Sequence, residues 1–441
     1  MPDPSRTAGS PPPVLVVMLD GVGDRAWPEL DGLTPLGAAD TPNLDTLTRK
    51  GAAGILHPLG PGRAPGTELA HFVLLGYPVA EYPGRVVFEA AGCGFELSPE
   101  DVAFRALFSS VRRSADGSLV LVEHFADVED DVCREFTGRL GHLEHDGLTV
   151  SLAFTGARQG VLTVSGGASE DVTDCDPFFT GRPIAAVHPL DDARKPQAAR
   201  RTADAVTAFL RHAYEVFRAD GSGDSEASLF PVIKWVGRKR TLATFEQRTG
   251  MRGEIVGSGT LLAGITAELG MGFRSVPVLP DAGADVERRL SEASRAFEEG
   301  AEFVLAHTKA ADTAGHAKDP SLKRDVITRI DRGLASLVER SGLPDDVLIC
   351  VTSDHGTPSG TGLIHSGDPV PVVLNGQGVG ADTVERFAER ECATGTLGQL
   401  RGEDFMPVLL NARGTTRYLG ARLSTHVGLH WPGDYEAFRV G

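Results

Sequence analysis

Three segments of the chain share one pattern, in which a continuous apolar run is followed at once by polar residues able to bind a metal. These segments are PVLVVMLDG, EFVLAHTKAADTAGH and DDVLICVTSDHGTP. An unbroken apolar run of this length is typical of a parallel strand that is buried on both faces. Because parallel sheets place their ligand sites at the carboxyl ends of their strands, the pattern predicts a functional site at that edge.

Other segments have the apolar spacing of amphipathic helices. DPSLKRDVITRIDRGLASLVERSG predicts one helix that ends at Gly342, and TPNLDTLTRKGAAGIL predicts another that begins at Thr41-Pro42 and ends at Gly51. TADAVTAFLRHAYEVFRA predicts a third helix. The order strand, helix, strand predicts an α/β fold whose sheet is mostly parallel, with right-handed crossovers.

Residues 101–183 have a different pattern. Short β-like runs (DVAFRALFSSV, SLVLVEHF, LTVSLAF and GVLTVSG) surround one helical segment near EDDVCREFTGRLG. This pattern suits a small α+β domain inserted into a larger one. We therefore expect a core of residues 14–100 and 184–441, an inserted domain of residues 101–183 and a disordered leader of residues 1–13, where prolines and small polar residues can bury little.

Charge and composition narrow the classes of partner. The 60 acidic and 43 basic residues give a net charge of −17, which argues against nucleic acid or an anionic membrane as a partner. No apolar run approaches the roughly 20 residues that span a bilayer, and the first residues do not have the pattern of a secretory signal. The five cysteines are widely spaced and lack a CxxC pair, which predicts free thiols and a reducing, cytoplasmic compartment.

Seven residues in these strand ends and tight loops form one candidate site. They are Asp20, Thr67, Asp312, His316, Asp354, His355 and His365. Three carboxylates, three imidazoles and one hydroxyl are the groups that two divalent cations and an alcohol nucleophile require. Mixed Asp and His ligands without a thiolate suit Mn²⁺ or Zn²⁺ better than Mg²⁺. The set predicts a two-metal enzyme of phosphoryl transfer.

Four residues of this set also have a plain structural explanation. Asp20, which precedes a glycine, could cap a turn, and Asp312 and His316 could form a surface pair at i, i+4 on a helix. Thr67 follows a tight Pro-Gly bend and could be an ordinary helix N-cap. That role is compatible with a nucleophile, because a helix N-terminus stabilises an anion. His71, one turn later, could face a ligand or pack in the core.

Arginines are the candidates for binding the anionic groups of a substrate. Arg85, Arg105 and Arg158 lie in the segments GRVVFEA, AFRALF and GARQG. A guanidinium group suits a phosphate or carboxylate because it donates two parallel hydrogen bonds. A single arginine is otherwise most often a surface residue.

Ordered motifs from Val14 to about Ala421 are similar to one known family. They are MLDGVGDRAWPELDGLTPLGAADTPNLDTL, PGTELAH, GRVVFEAAGCGFEL, DVAFRALF, TDCDPF, ATFEQRTGMRGEIVGSGTLLAGITAELGM, HTKAADTAGH, TSDHGTP, HSGDPVPVVL and TLGQLRGEDFMPVLLN. The set resembles the alkaline phosphatase superfamily and, within it, the short archaeal-type cofactor-independent phosphoglycerate mutases. The resemblance implies an alkaline-phosphatase-like core, whose mostly parallel sheet is sandwiched by helices, and a small inserted cap domain.

The resemblance also implies how the site residues divide their work. One cation would be bound by Asp312, His316 and His365, and a second by Asp20, Asp354, His355 and the nucleophile. Thr67 occupies the nucleophile position, and Lys309 lies near the substrate phosphate, although a lysine that leaves a buried strand is usually just solvated. The inserted domain would close over the substrate and exclude water.

Three features depart from the family pattern. Thr67 replaces a serine, Cys175-Asp176-Pro177-Phe178 stands where the motif normally ends in histidine, and EASLFPVIKWVGRKR lacks the usual Pro-Ala-Asn run. A threonine keeps the same reactive oxygen. It also serves as the nucleophile in other branches of the superfamily, which are mostly hydrolases of phosphate esters and phosphonates.

These observations predict an isomerase, a phosphomutase acting through a phospho-Thr67 intermediate on a specialised small phosphorylated or phosphonylated metabolite. The alternative is a metal-dependent phosphatase or phosphonate hydrolase on the same scaffold. A sulfatase-like enzyme is disfavoured, because the sequence has no Cys/Ser-x-Pro-x-Arg context around a nucleophile. The intact set of ligands also disfavours a non-catalytic scaffold.

Overall fold

A computed structural model describes residues 11–218, 227–360, 362–416 and 438–440. Most of the predicted leader, residues 1–10, and the end of the motif similarity near Ala421 lie outside these ranges. The carbonyl oxygens of Pro12 and Pro13 accept hydrogen bonds from Arg413 Nε, at 2.9 Å, and from the backbone N–H of Leu348, at 2.8 Å. The last residues of the predicted leader are therefore attached to the fold.

The described residues contain fourteen β-strands. They are β1 (Val14–Leu19), β2 (Ala52–His57), β3 (Val102–Arg113), β4 (Leu119–Glu123), β5 (His142–His145), β6 (Leu148–Gly156), β7 (Gln159–Ser165), β8 (Ser228–Gly237), β9 (Gly253–Gly257), β10 (Gly272–Ser275), β11 (Phe303–Thr308), β12 (Leu348–Thr352), β13 (Val370–Asn375) and β14 (Gly398–Arg401).

The same residues contain fourteen α-helices. They are α1 (Pro35–Ala38), α2 (Pro42–Arg49), α3 (Thr67–Leu74), α4 (Arg85–Gly92), α5 (Asp130–Leu140), α6 (Pro196–Arg218), α7 (Phe245–Thr249), α8 (Thr260–Leu269), α9 (Ala282–Glu298), α10 (Ala310–His316), α11 (Pro320–Gly333), α12 (Ala335–Val338), α13 (Glu389–Cys392) and α14 (Gly402–Ala412).

The chain forms two compact units. Residues Pro83–Thr241 make up one, here called the inserted unit, and the chain before Pro83 and after Thr241 makes up the other, called the core unit. The inserted unit is wider than the predicted range 101–183. It includes α4, α6 and β8 because β8 pairs antiparallel with β3, and both helices pack against β8.

The core unit is built on an eight-stranded sheet with the order β10-β9-β11-β1-β12-β13-β2-β14. Within it, β13 runs antiparallel to both of its neighbours and the other pairings are parallel. The prediction of an α/β fold with a mostly parallel sheet is therefore confirmed. Every residue of β1, β11 and β12 is buried, as their continuous apolar runs predicted.

Helices α9 and α11 cover one face of this sheet. Leu290 of α9 and Ile327 of α11 belong to the same buried cluster as Leu15 and Val17 of β1. The helix predicted to continue to Gly342 is broken into α11 and α12. The break follows Gly333, where a Cβ atom would lie only 2.3 Å from the carbonyl oxygen of Gly283 in α9. The close approach of the two helices thus requires glycine there.

The inserted unit is an α+β structure with a separate core. Its six strands, β3 to β8, form one sheet, and β3 pairs antiparallel with β4, β7 and β8, as β6 does with β5 and β7. Phe108 of β3, Phe136 of α5 and Phe209 of α6 are buried in the same apolar cluster. The rings of Phe108 and Phe136 meet edge to face, with centroids 6.3 Å apart, an arrangement favoured by aromatic pairs.

The structure also bears on the state of the cysteines and on whether a helix could cross a membrane. All five cysteines are free thiols, as predicted, and four of them are buried. Among the helices of the described ranges, none is both long enough and apolar enough to cross a bilayer.

Candidate metal centre

The topology of the core sheet brings the predicted metal ligands to one edge. Strands β11, β1 and β12 are adjacent and parallel, so their carboxyl ends lie side by side. Asp20 directly follows β1, Lys309 directly follows β11, and Asp354 lies two residues beyond β12. The site is thus where the carboxyl ends of parallel strands predict it.

The loops that carry His365 and Thr67 reach the same edge by other connections. Strand β13 is antiparallel to β12, so the loop before β13, which carries His365, starts at the carboxyl edge. Strand β2 is antiparallel to β13 and therefore ends at that edge, and the loop that follows it leads to Thr67. Residues that are up to 345 positions apart in the chain thus converge.

Asp312, His316 and His365 form one metal-competent group, with ligand atoms within 4.8 Å of one another. Helix α10 places Asp312 and His316 on one face, with His316 Nε2 3.2 Å from Asp312 Oδ1. His365 Nε2 lies 3.7 Å from the same oxygen. Asp312 is buried, whereas the side chain of His316 is 40% exposed, so the group opens to solvent on one side.

Asp20, Asp354, His355 and Thr67 lie together beside that group. His355 Nε2 is 3.2 Å from Asp20 Oδ1, 3.3 Å from Asp354 Oδ2 and 3.3 Å from Thr67 Oγ1. All four side chains are buried. The structure thus brings together the seven residues of the predicted site.

The hydrogen bonds of the histidines leave their ring nitrogens free for a metal. His365 Nδ1 lies 2.8 Å from the carbonyl oxygen of Pro65, which can only accept, so Nδ1 carries the proton and Nε2 a lone pair. Thr357 Oγ1 donates to Asp312 Oδ1 at 2.7 Å and lies 3.2 Å from His355 Nδ1. Its single hydrogen is used, so it accepts from His355 Nδ1, and Nε2 of His355 is again the free nitrogen.

Buried carboxylate oxygens that accept no hydrogen bond are a second indication of a metal site. Both oxygens of Asp20 and Oδ2 of Asp354 are buried and accept no hydrogen bond from the part of the chain that the structure describes. Buried charges in proteins are paired or coordinate metals, because an unpaired carboxylate away from water costs several kcal/mol. The donor set and its unpaired oxygens therefore fit divalent cations.

The pKa values of these groups are displaced in opposite directions. Burial and the charge of Asp20 raise the pKa of Asp354 well above its usual range. Burial acts in the same way on Asp20, but the neighbouring His307 and His355 hold its pKa well below that range. For His355, burial lowers the pKa, and the charges of Asp354 and Asp20 outweigh it and raise the pKa to about 9. Opposite displacements of this kind are characteristic of closely spaced buried groups at functional sites.

Lys309 and the helix position of Thr67 complete the site. The Lys309 side chain is 46% exposed, and its Nζ lies 3.9 Å from Asp20 Oδ2 and 3.9 Å from Asp312 Oδ2. Gly66 is the N-cap of α3, and Thr67 is the first residue of that helix. The Thr67 hydroxyl therefore does not cap α3 but lies at its positive end, where an anion is stabilised.

Two buried histidines, His71 and His307, belong to the cluster but were not among the predicted ligands. His307 Nε2 lies 3.1 Å from Asp20 Oδ2, and the two rings are 5.1 Å apart. His71 was predicted to contact the substrate, or to pack in the core, and it is fully buried against Asp354, with Nδ1 3.6 Å from Oδ2. One sequence signal pointed to His307: it is the one ionisable residue inside an otherwise apolar strand.

A buried lysine holds the loops that carry the ligands. Lys323 Nζ, which is fully buried, donates to the carbonyl oxygens of Gly23 (3.0 Å) and Thr357 (2.8 Å) and to Asp24 Oδ2 (3.0 Å). Gly23 follows Asp20 in the chain, and Thr357 follows His355. Lys323 therefore ties together the two loops that supply the second group of ligands.

We expect Lys323→Met to lower the free energy of unfolding by about 3–5 kcal/mol, because it leaves the buried charge of Asp24 without its cation. Urea unfolding measures the loss. The matched control is Arg324→Met on the same helix, which removes an exposed ion pair with Asp325 and should cost less than about 1 kcal/mol. Equal losses for the two variants would contradict this role of Lys323.

The predicted substrate arginines all lie in the inserted unit, where two of them form one group. Glu89 Oε1 accepts from Arg85 Nε at 3.1 Å and from Arg105 Nη1 at 3.0 Å. Both guanidinium groups lie over the ring of Trp235, at 3.8 Å and 5.0 Å from its centroid. Arg158 has other partners, the carbonyl oxygen of Ala126 and the ring of Phe125.

The two inserted-unit segments that depart from the family pattern meet in one cluster. Lys234 Nζ donates to Asp176 and lies 4.7 Å from the ring centroid of Phe178 and 4.4 Å from that of Trp235. Phe178 and Trp235 have left-handed backbones, with φ of 67° and 56°. This conformation is a genuine outlier for bulky residues and is found preferentially at functional sites. His124 Nε2 lies 2.9 Å from Asp176 Oδ1, a contact that the sequence did not predict.

The comparisons with known proteins agree on one family. The profile of the metalloenzyme superfamily matches residues 12–412. The 2,3-bisphosphoglycerate-independent phosphoglycerate mutase of Methanopyrus kandleri is 37% identical over 431 residues, which cover 94% of this chain and 100% of that protein. The 2,3-bisphosphoglycerate-independent phosphoglycerate mutase 2 of Methanocaldococcus jannaschii is 32% identical, with 96% and 98% covered.

Solved structures support the same assignment. A cofactor-independent phosphoglycerate mutase from Thermoplasma acidophilum has a TM-score of 0.61 and 29% identity, with 91% of this chain and 100% of that chain covered. A Pyrococcus horikoshii protein has a TM-score of 0.71 and 27% identity, with 93% and 100% covered. The chain therefore belongs to the metalloenzyme superfamily, the alkaline-phosphatase-like group of phosphoryl-transfer metalloenzymes, as a member of its cofactor-independent phosphoglycerate mutase family.

Proposed function

We propose that the protein is a metal-dependent phosphomutase that moves a phosphoryl group within a small phosphorylated metabolite through a phosphothreonine at Thr67. One observation carries the proposal: the Thr67 hydroxyl lies at the first turn of α3, 3.3 Å from His355 Nε2 and beside buried carboxylates. The relatives named as phosphoglycerate mutases, which this chain covers almost completely, support a mutase over a hydrolase.

The proposed metal ligands are the two groups of the site. Asp312, His316 and His365 would hold one cation, and Asp20, Asp354, His355 and Thr67 a second. When bound, two Mn²⁺ or Zn²⁺ ions would lower the pKa of the nucleophilic hydroxyl and neutralise the oxygens of the phosphoryl group.

Thr67 and Lys309 would act in two phosphoryl transfers, one from the substrate to Thr67 and one from Thr67 back to the substrate. The Thr67 hydroxyl gives up its proton and its oxygen attacks phosphorus in line; an oxygen–phosphorus bond to Thr67 forms, the phosphorus–oxygen bond to the substrate breaks, and the departing substrate oxygen takes up a proton. A different hydroxyl of the retained substrate then attacks the phosphothreonine, which releases Thr67 and leaves an isomer. Lys309, half exposed at the rim of the cluster, would contact the phosphoryl oxygens with its ammonium group.

We further propose that the substrate is specialised and that residues of the inserted unit recognise it. Arg85, Arg105 and Arg158 would bind the substrate's phosphate or carboxylate. The proposal of a specialised substrate is supported by the convergence of two departures from the family pattern, at Phe178 and at Lys234-Trp235, in one cluster of this unit.

The second candidate is a phosphatase or phosphonate hydrolase that uses the same metal centre. The observation in its favour is Thr67 itself, because a threonine at this position is typical of hydrolytic branches of the superfamily. In that case water, rather than a substrate hydroxyl, would accept the phosphoryl group from phospho-Thr67.

A ³¹P NMR screen of phosphorylated C3–C5 acids, sugars and phosphonates, with Mn²⁺ present, separates the two functions. We expect one compound to give a new organic phosphorus signal while inorganic phosphate stays constant. The matched control is the same protein after chelation of its metals, which should give no change. A rise of inorganic phosphate would favour the hydrolase, and inertness toward the whole panel would contradict both functions.

A further inference from the structure

His71 and His307 are brought to the metal centre by the fold. In the parallel pair of β11 and β1, His307 lies opposite Met18, two residues before Asp20. Side chains alternate along a strand, so His307 and Asp20 project from the same face. His71 follows Thr67 by one turn of α3.

The hydrogen bonding of His71 matches that of the predicted ligand His365. His71 Nδ1 lies 2.8 Å from the carbonyl oxygen of Thr67, which can only accept, so Nδ1 carries the proton. Nε2 then bears a lone pair. Metal-binding histidines characteristically fix their other nitrogen in this way, by donating it to a backbone carbonyl or a carboxylate.

The free nitrogen of His71 is buried without a partner. His71 is completely inaccessible, and its Nε2 accepts no hydrogen bond from any residue in the described ranges. His307 Nε2 and Asp354 Oδ2 are in the same condition. The lone pair of His71 Nε2 needs a proton donor or a cation beside it, and neither His307 Nε2 nor Asp354 Oδ2 makes a hydrogen bond to it.

We propose that His71, His307 and Asp354 hold a third divalent cation, of the Zn²⁺ or Mn²⁺ type, beside the two cations of the proposed mechanism. One ring nitrogen of His71, one of His307 and one carboxylate oxygen of Asp354 lie within 4.8 Å of one another, and a small rotation of the His71 ring would turn its Nε2 toward the other two. Metal–ligand bonds of about 2.0–2.1 Å place neighbouring ligands roughly 3.0–3.4 Å apart, so a small inward movement of the side chains completes the site.

The ligand types also fit such a cation. Two neutral imidazoles and one carboxylate, all buried, form the kind of three-residue set that binds zinc with room for a further ligand. Asp354 also lies 3.3 Å from His355 Nε2, so it can serve both this site and the second cation. The assignment gives His71 a metal rather than the substrate as its partner.

Metal content tests the proposal without reference to activity. The protein is dialysed to equilibrium against Mn²⁺ or Zn²⁺, and bound metal per chain is measured by inductively coupled plasma mass spectrometry. We expect three equivalents for the natural protein and two for His71→Gln and for His307→Gln. The matched control is His57→Gln: His57 is a buried histidine of β2 whose ring nitrogens also lack a partner among the described residues, yet it belongs to none of the metal-competent groups.

Anomalous X-ray scattering from metal-soaked crystals of the natural protein supplies a test that no variant can confound by misfolding. A third peak bounded by His71, His307 and Asp354 is expected. Two equivalents and two peaks in the natural protein would overturn the proposal, as would a third peak elsewhere. Neither result bears on phospho-Thr67, so the third cation and the proposed function can fail separately.

Discussion

Thr67→Val is expected to lower kcat by at least about 10³-fold, because it removes the one hydroxyl proposed to carry the phosphoryl group. Valine keeps the branched shape of threonine, which matters because Thr67 is buried and its neighbours on α3 are packed. Steady-state kinetics on the compound identified by the ³¹P screen measure the effect. The loss should fall on kcat, since the hydroxyl acts in the transition state.

Thr67→Ser is the matched control. It retains the reactive oxygen and loses only a methyl group, so we expect activity within about tenfold of the natural protein. If the valine variant kept most of its activity, Thr67 would not be the nucleophile. A serine variant as inactive as the valine variant would mean that the methyl group, rather than the oxygen, is what the site requires.

Asp312→Asn is expected to remove one equivalent of bound metal and to lower kcat/KM by at least about 10²-fold. Asp312 is the one carboxylate in the group with His316 and His365, and an amide binds a divalent cation much more weakly than a carboxylate. Changes in the residues that merely orient metal ligands already cost about 10–100-fold. Metal analysis and kinetics on the same preparation check both parts.

The control for this variant is Asp325→Asn, which changes an exposed carboxylate on α11. It should keep both metal content and turnover. Asp312→Asn also replaces the carboxylate that accepts from the Thr357 hydroxyl with a weaker amide acceptor, so its fold should be checked by circular dichroism. A folded Asp312→Asn protein with full metal content would contradict the assigned ligand group.

Much of the site could be predicted from the sequence because its ligands follow local patterns. Asp20 and Asp354 come just after buried strands, and Asp312 and His316 share a helical face, so short segments reveal them. The resemblance to a known family then assigned the ligands to two cations. The mostly parallel core sheet was predictable for the same reason, since each apolar run is itself a strand.

What the sequence did not reveal depends on contacts between distant segments. Lys323 reaches Gly23 across 300 positions, and nothing near it in the chain indicates that it is buried. His307 lies within an apolar strand, and whether its side chain faces Asp20 depends on how β11 is aligned with β1. The limits of the inserted unit follow from the pairing of β8 with β3, which no local pattern specifies.

The phosphothreonine itself is the most direct test of the proposed mechanism. The protein is mixed with the compound that it converts, quenched in acid within the first turnover, digested and analysed by peptide mass spectrometry. We expect one added phosphoryl group, located at Thr67 in the peptide containing PGTELAH, and none at that peptide in the Thr67→Val protein. Rapid conversion with no phosphorylated Thr67 at any quench time, or with the phosphoryl group on another residue, would contradict the proposed mechanism.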